Sequence, residues 1–97
     1  MTEQSVLANL SQFEWNSAES VSYEVAIEAI SQAIAAITPL IAAARQRNDA
    51  SAAAELVDLR KRCIAERNQL QATDHTAVAE VTRRYRAMAE QLQQQAS

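Results

Sequence analysis

Between Tyr23 and Ala44 the chain reads YEVAIEAISQAIAAITPLIAAA. Its large apolar side chains at Tyr23, Ile27, Ile30, Ile34, Ile37 and Ile41 fall four, three, four, three and four residues apart. That alternation is the seam of an α-helix that packs against other helices. Glu24 and Glu28 flank the seam, and no basic residue comes before Arg45.

Composition extends the helical reading to the whole chain. Its 97 residues suit one domain, and they include no glycine and a single proline. Sheets need tight turns, and tight turns favour glycine and proline, so the expectation is an all-α protein. The lone cysteine, Cys63, leaves no internal disulfide to form. Residues 1–44 carry five acids and no base, a net −5, whereas residues 45–97 carry seven acids and nine bases, a net +2.

Upstream of the seam, residues 1–16 read as an N-terminal segment. Val6, Leu7, Leu10 and Phe13 recur at helical spacing, which predicts a short helix there. Phe13 and Trp15 can fold back to cap a bundle or can anchor a partner, since large aromatics are favoured at interfaces. Asn16, Ser17 and Ser20 are all able to cap a long first helix running to about Arg47. Pro39 predicts a kink near Ala35–Pro39 rather than a break, because the apolar pattern continues in phase to Ile41 and Ala44.

Downstream, the run Arg45–Asp49 ends that helix: Asn48 suits a left-handed cap, and Asp49 or Ser51 suits the start of a second helix. The second helix runs to about Gln71 with a seam of Ala52, Leu56, Leu59, Cys63, Arg67 and Leu70; Glu66 competes with Arg67 for one turn of it. Asp74 caps a third helix whose seam is Val78, Val81, Tyr85, Met88 and Leu92. Along it, Glu80 is spaced to pair with Arg83 or Arg84, and Arg86 with Glu90. Short connections make neighbouring helices antiparallel, so residues 17–97 are expected to form an up-down-up three-helix bundle with a long, kinked first helix.

The same residues argue against chemistry. A phosphate-binding loop needs glycine, no metal-ligand spacing is present, and His75 and Cys63 fall at a helix start and in a seam. Neither a catalytic residue nor a cofactor is expected. The net charge of −3 gives no general affinity for nucleic acid. No apolar run approaches the roughly 20 residues of a membrane span, and no secretory signal is readable, so the expected location is the cytoplasm.

Four pieces of the sequence carry a resemblance: YEVAIEAISQAIA at Tyr23–Ala35, LVDLRKRCIAERNQL at Leu56–Leu70, TDH at Thr73–His75, and VAEVTRRY at Val78–Tyr85. In order and character they resemble small helical antitoxins of zeta-type kinase toxins, and the related chaperone-like partners of kinase effectors. Pro39 and the N-terminal aromatics lie outside that pattern. The resemblance implies a protein without chemistry of its own. It would neutralise a kinase that uses ATP or GTP by obstructing the nucleotide or substrate site.

A kinase cleft is lined with Lys and Arg that hold phosphates, so a blocker should offer carboxylates and apolar anchors. The candidate partner-binding residues are Phe13, Glu14, Trp15, Glu19, Tyr23, Glu24 and Glu28. Each has a plainer reading beside it: Tyr23 as the first seam residue, the glutamates as acids favoured near a helix N-terminus. The alternative function is a structural or adaptor bundle that assembles with itself or with another helical protein.

Overall fold

Nothing in the first 46 residues stops a helix until the sequence Arg45–Asp49. In a computed structural model, which describes the backbone of residues 3–96 and the side chains of residues 18–96, the first helix, α1, spans Glu3–Gln46. It therefore runs through Asn16, Ser17 and Ser20, where the sequence predicts a cap. None of those residues forbids helical dihedrals, and with no glycine or proline nearby the helix simply continues. It also passes Pro39 without a break. Pro39 is exposed, which leaves the ring on the solvent side of the turn, and the Thr38 hydroxyl donates to the Ile34 carbonyl at 3.4 Å.

The two connections form as the local residues dictate. Asn48 adopts φ 59°, the left-handed conformation. Asp49 N–H then donates to the Ala44 carbonyl (2.9 Å), and Asn48 N–H to the Arg45 carbonyl (3.1 Å). This pair of bonds satisfies carbonyls that the end of α1 would otherwise leave open. The Asp49 carboxylate accepts from Ala52 N–H at 3.1 Å and starts α2, Ala50–Gln69. Asp74 repeats the device, accepting from Ala77 N–H at 3.2 Å at the start of α3, His75–Ala96.

The order is up-down-up. Arg67 near the end of α2 donates to the Ser31 hydroxyl (3.3 Å), and His75 at the start of α3 meets Glu19 (2.8 Å). So α2 runs back along α1, and α3 runs forward beside it from the level of Glu19. The protein is an all-α three-helix bundle in which α1 packs against both other helices. No Cα of α2 comes within 8 Å of one in α3. The long helix is the hub, and side chains rather than closely packed backbones join the other two.

That hub arrangement decides which side chains are buried. Ile30, Ile37 and Ile41 are enclosed, as their spacing predicts. Tyr23, Ile27 and Ile34 are only partly buried, while Ala26, Ala29, Ala33 and Ala44 are enclosed with the isoleucines. A helix with neighbours on two flanks buries a wider arc than a two-stranded seam, and small residues on one flank allow close approach. On α3 the enclosed set is Val78, Val81, Tyr85, Ala89 and Leu92, with Met88 half-buried at the edge. On α2 only Ala53 and Cys63 are fully buried.

An 18-residue window within Ala18–Gln46 reaches a mean hydropathy of 1.7, so this stretch is long and apolar enough to cross a membrane by length and composition. Glu24, Glu28 and Gln32 interrupt it, so it is not an unbroken apolar run of the kind expected of a span. Of that window, 39% is buried inside the bundle, where α1 contributes the central side chains of the core between α2 and α3.

Candidate functional site

The helical period separates the carboxylates expected to act together. Glu19 and Glu28 are nine residues apart, about two and a half turns, so they project from opposite sides of α1. Glu19 points toward α3, where its carboxylate meets His75 Nε2 at 2.8 Å. It is half-buried and tied to another helix rather than open to a partner. Glu24 and Glu28, one turn apart, are exposed. Glu28 Oε1 accepts only from Gln32 Nε2 within its own helix, at 3.4 Å. Tyr23 is half-buried against the core cluster, in its seam role. The side chains of Phe13, Glu14 and Trp15 lie outside the described residues. Of the four candidates whose side chains are described, Glu24 and Glu28 are the pair brought together on an open face.

A polar cluster that the sequence does not announce joins α2 to α3. Tyr85 donates its hydroxyl hydrogen to Glu66 Oε1 at 2.6 Å, and Arg84 Nη2 pairs with Glu66 Oε2. The Arg84 guanidinium also sits 5.3 Å from the centre of the Tyr85 ring. Arg84 thus turns across to α2 instead of pairing with Glu80 along its own helix, and no ion pair forms between Arg86 and Glu90. The Arg84 hydrogen bond outweighs burial and holds the Glu66 carboxyl below its usual range. Burial, and then the Glu66 carboxylate, push the Tyr85 hydroxyl well above its ordinary value. Burial also raises the Cys63 thiol. A buried, protonated thiol beside a protonated phenol is a poor nucleophile, so the cluster acts as a fastener.

Two outcomes test that role. Tyr85→Phe should lower unfolding free energy by about 1.5–3 kcal/mol, the usual net worth of a bond to a charged group, measured by urea melts. A depressed carboxylate contributes stability that is complete above its ordinary value of 4.5 and is lost as pH falls through the lower folded value. The melting temperature should therefore drop on acidification below about pH 4.5, and Glu66→Gln should flatten that drop.

The second feature is an open groove of about 760 Å³ between α1 and α3. Val21, Val25 and Val78 make it apolar, the Glu19–His75 pair lies along it, and Arg83 and Arg86 stand on the α3 side. Val21 is 59% exposed and is the one large hydrophobic residue so exposed among those described. Ser22, which lines the groove, and Ser31, which bonds α2, are nine residues apart and so on opposite flanks of α1. Thus α2 occupies one side of the α1–α3 pair and the groove opens on the other.

Among the described residues, no group of three or more His, Cys, Asp or Glu side chains is placed to hold a metal ion. Comparison with known proteins adds no further constraint: no family model, no curated protein and no solved structure matches the chain.

Proposed function

We propose that this chain is a non-catalytic helical binding protein that neutralises a zeta-like kinase in the cytoplasm by laying the outward face of α1 over its phosphate-handling cleft. The observation that carries the reading is the exposed pair Glu24 and Glu28, on a helix with no basic residue before Arg45. Such a face suits a cleft lined with Lys and Arg, where opposite charge steers approach and fixes register. Glu19 is set aside from that surface because His75 already engages it.

The test is the double variant Glu24→Lys, Glu28→Lys in a co-expression assay with the kinase gene that adjoins the native one. Two charge reversals at an interface cost about 3 kcal/mol, which is on the order of a 100-fold loss of affinity. Neutralisation should fail while far-ultraviolet circular dichroism stays that of the parent, since both side chains are exposed. Full neutralisation by the double variant would remove the acidic face from the mechanism.

The second reading, an assembly module, is favoured by a different observation, the open groove with exposed Val21. An apolar groove with charged walls is a shape into which the apolar face of a helix can be laid.

A further inference from the structure

The groove and the length of α1 together suggest what fills it. The chain's own third helix begins beside Glu19 and runs away from the N-terminus, and α2 ends near Ser31. With 44 residues against 20 and 22, α1 is about twice as long as either neighbour. Its first turns, from Glu3 on, therefore lie past the level at which α3 starts. In sequence those turns carry Val6, Leu10 and Phe13, with Glu3 and Glu14 and no base. The groove supplies the complement, valines beside Arg83 and Arg86, neither of which forms an ion pair with a described residue.

We propose that the α1–α3 groove receives the N-terminal turns of α1 from a second copy of this chain, the two copies pairing antiparallel about a two-fold axis. The spacing is self-complementary. Val6, Leu10 and Phe13 are four and three residues apart, and so, in reverse, are Val25, Val21 and Ala18. One antiparallel register therefore places Val6 opposite Val25, Leu10 opposite Val21, and the large Phe13 opposite the small Ala18. The two-fold axis makes the same three pairings a second time, as an isologous interface requires. Glu3 then approaches the level of Arg83 and Arg86 of the other copy, where opposite charge fixes the direction of pairing. Each groove gains a helix on the side opposite α2, so the α1–α3 pair is covered on both flanks. This self-association stands apart from the kinase reading and does not depend on it.

The experiment uses the full chain in two steps. Sedimentation equilibrium at up to about 100 μM, a range that reports micromolar association, should give a species of twice the 10.7 kDa chain mass. Val21→Glu and Leu10→Glu should each weaken the dimer at least tenfold, and Val21→Glu should leave the helical spectrum unchanged because residue 21 is exposed. The register is then read by cross-linking. An equimolar mixture of Val21→Cys and Leu10→Cys chains should form the mixed disulfide faster than either chain forms its own, with the native Cys63 buried and silent. A monomer at the highest concentration overturns the proposal. So does a dimer indifferent to Val21→Glu, or a mixture in which Val21→Cys chains cross-link to one another in preference to Leu10→Cys chains.

Discussion

Ile37→Asp is expected to abolish the fold. Ile37 is fully enclosed, with 0% of its surface exposed, and among the described residues no charged side chain is buried with it. A carboxylate placed there would have no partner, and an unpaired buried charge costs more than a domain of this size has to spare: roughly 5–15 kcal/mol is the whole stability of a typical fold. Circular dichroism at 222 nm should show the loss of most helix at 25 °C. Ile37→Ala separates charge from packing: it should cost about 2–5 kcal/mol and leave a folded protein with a lower midpoint. The same Asp substitution at Ile34, which is only partly buried, should be milder. A fully helical, cooperative Ile37→Asp variant would mean that the isoleucines of α1 do not form the core.

Pro39→Ala is expected to have the largest effect in the opposite direction. Proline inside a helix removes one backbone bond and is about 3 kcal/mol less favourable than alanine. Here it lies mid-helix and exposed, with α1 uninterrupted on both sides. Alanine restores an N–H that can bond the Ala35 carbonyl, and it sacrifices no buried contact. Urea denaturation should show a gain of about 1–3 kcal/mol with an unchanged m-value. A loss of stability would show that the proline at residue 39 is needed to fit α1 against its two neighbours.

The parts of the fold that were legible in the sequence rest on local signals. Asn48 in the left-handed region, and the Asp49 and Asp74 caps, each act within about four residues, and each forms where its residue type predicts. The apolar period of α1 and α3 likewise selects Ile30, Ile37, Ile41, Val78, Val81, Tyr85 and Leu92 for the interior. The start of α1 was less legible, because polar residues such as Asn16 and Ser17 permit a cap without compelling one. Pairings between distant helices left almost no trace. Glu19 meets His75 across 56 positions of sequence, and Arg84 chooses Glu66 over the nearer Glu80. The one hint was the presence of Glu66 in a seam turn, where a charge must find a partner.

The candidate site divides along the same line. That Glu19 and Glu28 cannot share a face follows from the helical period alone and needs no coordinates. That Glu19 is engaged, and that α2 leaves the Val21 flank open, depends on which side each helix packs. The period of a single helix does not carry that information.

The central claim is that the outward, acidic side of α1 exists to hold a phosphate-handling enzyme. Affinity capture with the full chain from its native cells, followed by mass spectrometry and repeated with the Glu24→Lys, Glu28→Lys variant, tests it most directly. The expected result is a kinase with a phosphate-binding loop that is retained by the parent and lost by the variant. Recovery of the chain alone, or of the same proteins by parent and variant, would contradict it.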